Sequence, residues 1–232
     1  MEELERLELL IGNEKLNKLI NSKVIIFGCG GVGGYTVEAL ARSGIKNITI
    51  VDKDKVSISN INRQIIALHS TVGLDKVDVL ETRIKDINPL CNVIKFKEFY
   101  LPDNSNFVNL LDYDYVIDCI DTVSAKLDII EKCVKNNINI ISAMGMGNKL
   151  DPTKIEIADI SKTSICPLAR TIRYELRKRD IRHLKVIYSK EEPLKPIEAI
   201  IENGKTIPGS NSFVPSVAGL IIASEVIKDL IK

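Results

Sequence analysis

The sequence predicts a doubly wound α/β fold, a Rossmann-like and mostly parallel sheet with a mixed α/β C-terminal extension. Three observations carry that expectation. The glycine-rich turn Gly28-Cys29-Gly30-Gly31-Val32-Gly33 directly follows the apolar run Val24–Phe27 and opens a helical stretch. A second apolar run, residues 47–51, follows closely enough for strand, helix and strand to make one βαβ unit, which requires a parallel sheet. Helical and strand-like patterns then keep alternating up to Gly147.

The elements are expected in this order. Residues 1–20 read as short amphipathic helical segments, with Leu4, Leu7, Leu10 and Ile11 on one side and a break at Gly12. After the glycine turn a helix over 32–43 is stopped by Gly44, where left-handed backbone is tolerated. The strand over 47–51 ends on Asp52; a helix near 73–86, strands near 92–97 and 115–119, a helix near 123–135 and a strand over 138–142 complete the first part. Beyond Gly147 the pattern loosens. Residues 155–160 alternate as a half-exposed strand, 168–179 are helical, 185–188 and 197–201 are strand-like, and 215–230 form a terminal helix. Pro193, Pro196, Gly204 and Gly209 mark the loops between them. The expected organisation is one domain over 1–232: an N-terminal helical arm (1–20), a nucleotide-binding core (21–147) and an extension (148–232) with a basic crossover segment.

Composition narrows the class. With 232 residues, 45% apolar and 27% charged, the chain can bury a substantial core and is neither disordered nor collagen-like. Aromatics are scarce and Trp is absent, so that core must be aliphatic. No apolar run approaches the ~18 residues of a membrane span, and the acidic start lacks the apolar stretch of a secretory signal. Five cysteines without a Cys-x-x-Cys pair argue against a disulfide framework or zinc ribbon and fit a reducing cytoplasm. The net charge of +1 hides an asymmetry: residues 170–190 hold eight Lys or Arg against Glu175 and Asp180.

The glycine turn lets backbone N–H groups approach a phosphate at a helix N-terminus, and Asp52 at the next strand's end is placed for ribose hydroxyls. That much suits NAD and ATP equally. Asn60-Ile61-Asn62-Arg63-Gln64 and Lys76 decide between them, since a dehydrogenase has no evident use for two cations beside the phosphates. An enzyme attacking the α-phosphate of ATP does, because charge builds on the phosphoryl oxygens in the transition state. An acid of Asp118-Cys119-Ile120-Asp121, at a strand's carboxyl end, is the natural Mg²⁺ ligand there.

These residues, in this order, give the chain a resemblance over nearly its whole length to the ubiquitin-activating-enzyme-like adenylyltransferases: Gly28–Gly33, Asp52-x-Asp54, Asn60-x-Asn62-Arg63-Gln64, Lys76 and Asp121. The resemblance implies that Gly28, Gly30, Gly31, Gly33, Asp52, Asp54, Asn60, Arg63, Gln64 and Lys76 bind ATP, with Asp52 on the ribose, Arg63 and Lys76 on the triphosphate and Asn60 in support. It implies Mg²⁺ on Asp121, and a homodimer in which Arg6 reaches the partner's nucleotide site; Arg6, Arg63, Lys76 and Asp121 are then the catalytic set. Residues 38–45, Asp86-Ile87-Asn88-Pro89, 115–118 with Asp121, Asp151-Pro152-Thr153 and Pro167-Leu168-Ala169-Arg170 resemble, within that family, the tRNA threonylcarbamoyladenosine dehydratases. Such enzymes use ATP to activate the carboxylate of a threonylcarbamoyl group on tRNA and close it into a ring with net loss of water. The alternative is activation of the C-terminus of a ubiquitin-like sulfur-carrier protein, with a sulfur-relay or ubiquitin-like protein as partner; the lack of paired Cys-x-x-Cys motifs counts against it. Met144 and Met146 stand where the resemblance leads one to expect smaller residues.

The basic segment is the expected tRNA-binding surface. Arg170, Arg173 and Arg177 at i, i+3, i+7 share one helix face, and Lys178, Arg179, Arg182 and Lys185 extend its charge. Cys166, beside Pro167, reads first as a small buried hydrophobe and second as a reactive thiol. Cys29 is expected to pack within the turn, Cys91, Cys119 and Cys133 to be core residues, and His69 and His183 to lie on the surface or in loops.

Overall fold

The computed structural model describes residues 2–198, 201–202 and 205–232. A 3-10 turn at Glu2–Leu4 leads into α1 (Glu5–Ile11) and α2 (Asn13–Asn21). Leu4, Leu7 and Ile11 lie on one face and pack against Leu16 and Ile20 of α2. Leu10 is not on that face. It is 83% exposed, because each helical step turns a side chain by about 100° and sets it well away from Ile11.

β1 (Lys23–Phe27), α3 (Gly33–Arg42) and β2 (Asn47–Val51) form the expected βαβ unit, with the two strands paired in parallel. Gly44, at φ 86°, ends α3 as its position in the sequence requires. α4 (Lys76–Ile87) begins later than expected, because residues 73 and 74 are held elsewhere. The Gly73 N–H donates to the Val56 carbonyl, and the Val56 N–H donates to the Leu74 carbonyl, both at 2.8 Å. β3 (Asn92–Phe96), β4 (Tyr115–Asp118) and α5 (Val123–Lys135) follow. β5 (Ile140–Ala143) also starts late: Asn137 adopts φ 53° and the Ile138 N–H turns back to the Cys133 carbonyl at 2.9 Å, so residue 138 closes the end of α5, while the Asn139 carbonyl already accepts the Val116 N–H of β4 at 2.8 Å.

The extension supplies β6 (Ile155–Asp159), α6 (Pro167–Arg177), β7 (Lys185–Ser189) and α7 (Val214–Leu230). Between the last two, β8 (Ile201–Glu202) pairs antiparallel with β9 (Lys205–Thr206). The strand expected over 197–201 falls partly outside the described residues.

Seven strands make one sheet in the order β3-β2-β1-β4-β5-β7-β6, all parallel except the edge strand β6. The residues after Gly147 thus complete the sheet of the first part. α7 packs on α3 closely enough for the Thr36 hydroxyl to donate to the Gly219 carbonyl at 3.1 Å. The core is aliphatic as expected, built on Ile25, Ile26, Leu40, Ile48 and Ile50 with few rings among them. No described helix is long and apolar enough to cross a membrane. β1 turns one way to β2 and the chain later crosses to β4 on the other side, so the carboxyl ends of β1 and β4 form the switch point where an open α/β sheet binds ligands.

Candidate active site

A cleft of about 750 Å³ opens at that edge and runs past the ends of β2, β1, β4 and β5 to the start of α6. The glycine turn forms its floor. Gly28 has φ 85°, and a side chain there would meet the Cys119 carbonyl at 2.8 Å; one at Gly33 would overlap the Gly28 carbonyl oxygen. The turn therefore exists only with glycine at these positions, and it delivers the start of α3 to the cleft. Gly30 and Gly31 line the same wall.

Asp52, at the end of β2, organises the charges beside the turn. One carboxylate oxygen accepts the Cys29 N–H at 2.7 Å and the other the Asp54 N–H at 2.8 Å. Lys76, only 6% exposed at the start of α4, donates to Asp54 at 2.9 Å and lies 4.0 Å from Asp52. Asn60 is buried and braces the next loop, its side-chain oxygen accepting the Ser57 N–H and its carbonyl the N–H groups of Arg63 and Gln64. The Arg63 guanidinium lines the cleft and donates to the Ser59 carbonyl at 2.7 Å and to Asn62 at 2.9 Å. Nine of the ten residues expected to hold a nucleotide are thus among the cleft-lining residues; Gly33, the tenth, builds the turn behind them.

At the end of β4, Asp118 and Lys126 are fully buried and paired at 2.8 Å. Ser142 donates to Asp118 at 2.6 Å, and Asp118 accepts the Ile120 N–H at 3.2 Å. This network fixes the bend that carries Asp121 to the cleft, where its carboxylate is exposed. The sequence offered Asp118 as a strand end but gave no signal for Lys126 or Ser142, whose partnership depends on adjacent strands and α5 converging. Lys53 and Phe99, in cation–π contact at 4.1 Å, add an aromatic flank beside Asp52 that was also missed.

The far wall consists of Met144–Lys149 after β5 and Cys166–Leu168 at the start of α6. Met144 and Met146 are buried, so their bulk lies largely behind the wall. Cys166 is 2% exposed, as a small hydrophobe would be. Burial raises the thiols of the other cysteines, Cys91 to about 11 and Cys119 and Cys133 to about 12, and that of Cys29 well above its ordinary value, so none is poised as a nucleophile. Cys119 is only partly buried, because its backbone abuts the glycine turn at the cleft. His183 is 82% exposed and pairs with Asp159 at 3.2 Å; His69 is exposed at the start of a 3-10 turn, His69–Thr71.

Arg6 lies exposed on α1, outside the cleft of its own chain. The basic segment divides. Arg170 and Arg177 are exposed on α6, but Arg173 is tied to the Thr163 carbonyl at 2.9 Å and to its hydroxyl at 2.5 Å. Lys178 pairs with Glu175 at 2.7 Å, Arg179 with Glu175 and Glu131, and Lys185 with Glu225 and Asp229 of α7. Lys178, Arg179 and Lys185 therefore do not extend a free positive surface; among the described residues Arg170, Arg177 and Arg182 have no ion-pair partner.

Two features fit a nucleotide. The Gln64 side-chain oxygen is buried at the cleft without a hydrogen-bond partner, a position that a ligand N–H or O–H completes. A Cβ at Gly30 would meet only the Gln64 side-chain nitrogen, at 3.7 Å, so the turn leaves the cleft open at that position. Asp121 offers one exposed carboxylate at the cleft, which would hold Mg²⁺ beside a bound nucleotide, since Mg²⁺ commonly takes one or two protein carboxylates.

A model of the ThiF family matches residues 4–232. The chain is 48% identical over 245 residues to the tRNA threonylcarbamoyladenosine dehydratase of Bacillus subtilis, covering 100% of this chain and 96% of that protein. Its structure is similar to those of Escherichia coli tRNA N6-threonylcarbamoyladenosine dehydratase. The complex with AMP matches with a TM-score of 0.87 and 34% identity, over 96% of this chain and 91% of that one. The complex with ATP matches with a TM-score of 0.88 and 33% identity, over 99% and 93%.

Proposed function

The chain belongs to the ThiF family, and we propose that it is an ATP-dependent tRNA threonylcarbamoyladenosine dehydratase, which adenylates the threonylcarbamoyl carboxylate and closes that group into a ring. One observation carries this reading. A single cleft crosses the ends of β2, β1, β4 and β5 in the order in which ribose, phosphates, metal and acyl group follow one another in a nucleotide poised for attack. Neighbouring strands lie about 4.8 Å apart, so these positions are spaced on the scale of the ligand itself.

Asp52 takes the ribose hydroxyls, and the glycine turn cradles the phosphates at the start of α3. A carboxylate oxygen of the substrate bonds to the α-phosphorus; the bond from that phosphorus to the bridging oxygen breaks, and pyrophosphate leaves with the electron pair. Arg63 and Lys76 stabilise the charge that gathers on the phosphoryl oxygens during this exchange. Asp121 would hold Mg²⁺, which supplies further neutralisation of phosphate charge when bound. The ureido nitrogen then attacks the activated carbonyl carbon. Its proton passes to solvent and AMP departs with the former carboxylate oxygen. Both reacting groups sit on one substituent, so ring closure has a large proximity advantage and needs no protein nucleophile.

Arg6 serves the nucleotide site of a second subunit in a homodimer, in keeping with its place on an exposed helix outside its own cleft. Arg170 and Arg177 receive tRNA phosphates, while Arg173 holds the loop before α6 in place. The tRNA substrate and the free thiols suit the cytoplasm. Pyrophosphate release from purified protein tests the reading: tRNA bearing threonylcarbamoyladenosine should trigger it, and the same tRNA without the modification should not. Release triggered instead by a carrier protein with a free C-terminus would replace the tRNA by a protein substrate.

A further inference from the structure

Lys149 is the buried cation of the far wall. It is 3% exposed, yet its ammonium makes one hydrogen bond among the described residues, to the uncharged Glu191 carbonyl at 2.9 Å. The Glu191 carboxylate is engaged elsewhere, accepting the Leu150 N–H at 2.9 Å and the Asp151 N–H at 2.8 Å. An ammonium has three donors, so Lys149 has hydrogen-bonding capacity left over at the cleft. Burial pushes the ammonium below the ordinary lysine value, against the opposing pull of Cys166 and Glu191. The backbone around it is fixed: Asn211 donates to the Lys149 carbonyl at 2.6 Å, and the Leu194 N–H donates to the Asn148 carbonyl at 2.7 Å.

A second feature meets it there. α6 begins at this wall with Pro167 in its first turn, and its N-cap residue, Cys166, provides no side-chain cap. Its first free N–H groups point out of the helix start with the positive end of the helix dipole. Ile165, immediately before, holds φ 60°, a costly conformation for a β-branched residue and one concentrated at functional sites. Gly145 keeps the space open, since a Cβ there would already be in van der Waals contact with Cys166 Sγ and Leu168 Cβ at 3.8 Å.

We propose that Lys149 and the uncapped start of α6 form an anion site that receives the substrate carboxylate and orients it towards the α-phosphate. This rests on the reading of the chain as a carboxylate-adenylating enzyme and adds the residue that selects the acyl group. The placement suits it, for Lys149 follows β5, on the opposite side of β4 from the glycine turn.

The test uses the full-length protein and tRNA carrying threonylcarbamoyladenosine. Lys149→Met should lower kcat/KM for that tRNA by ~10²-fold, the scale of a charge-assisted contact, and Lys149→Arg should restore part of it. ATP affinity and affinity for the unmodified tRNA should stay within about two-fold of wild type, since neither engages this site. Gly145→Val should reproduce the loss by filling the site. A Lys149→Met protein that is folded, binds ATP and keeps kcat/KM within about three-fold of wild type overturns the anion site alone. A wild-type protein that releases no pyrophosphate with the modified tRNA overturns the functional reading instead.

Discussion

The two walls of the cleft handle charge in opposite ways. On the β1–β2–β4 side every buried charge is matched within the protein: Lys76 by Asp54 and Asp52, Lys126 by Asp118 with Ser142 in support. On the β5–α6 side the Lys149 ammonium hydrogen-bonds only a carbonyl, and Ile165 sits in a costly backbone conformation. Buried ions without partners are destabilising. In the function proposed above, the matched side frames the nucleotide and the unmatched side gains its partner when the acyl group arrives.

The largest effect should come from breaking a matched pair. Lys126→Met would leave Asp118 buried and uncompensated, at a cost of about 3–5 kcal/mol in urea unfolding. Lys149→Met removes a charge that has no ion-pair partner and should leave the urea midpoint unchanged or raise it. If both substitutions cost the same, the distinction between the walls is wrong.

Next come the cations over the phosphates. Arg63→Ala and Lys76→Ala should each lower kcat for pyrophosphate release by ~10²-fold or more, with ATP affinity falling much less. Asp121→Ala should behave similarly, with partial recovery at raised Mg²⁺ in the same assay. Near-normal turnover in any of the three would remove that residue from the phosphate wall.

A matched charge away from the cleft supplies a control. Burial alone would raise the Asp229 carboxyl, but hydrogen bonds from Lys185, Lys232 and Tyr115 outweigh it and bring the value down from 3.8 to about 2. Because the folded value is depressed, its contribution of about 2 kcal/mol is complete above the unfolded value and is lost as pH falls from there through the folded one. Asp229→Asn should therefore flatten the decline in stability over that acid window, read as urea midpoints against pH. An unchanged slope would mean that this cluster is not holding the carboxylate down.

The smallest effect lies outside the cleft. Arg170→Glu with Arg177→Glu should weaken tRNA binding by ~10-fold and reduce the slope of log affinity against log salt by about 2. ATP binding should not change. Arg173→Glu should instead lower thermal stability, because it breaks the bonds to Thr163. Equal behaviour of all three arginines would restore a continuous basic face.

The parallel sheet, the glycine turn and the charged residues near it can be read along the chain alone. Those signals are local: β-branched runs, glycines that the backbone geometry demands, and charged residues at strand ends. Asp52, Arg63 and Lys76 were legible because each lies a fixed short distance along the chain from such an element, and the order of several of them is specific. That residues after Gly147 complete the same sheet emerges only in the folded chain, since pairing of β5 with β7 joins positions far apart in sequence. The fold also neutralises Lys185 and tethers Arg173, which no charge count along the chain reveals. Lys149 shows the limit most plainly. Its neighbours Asn148 and Leu150 carry no motif, and its meaning comes from burial beside the start of α6. Burial and pairing depend on which distant segments the fold brings together, and for an isolated lysine those contacts alone separate a solvated surface charge from a binding group.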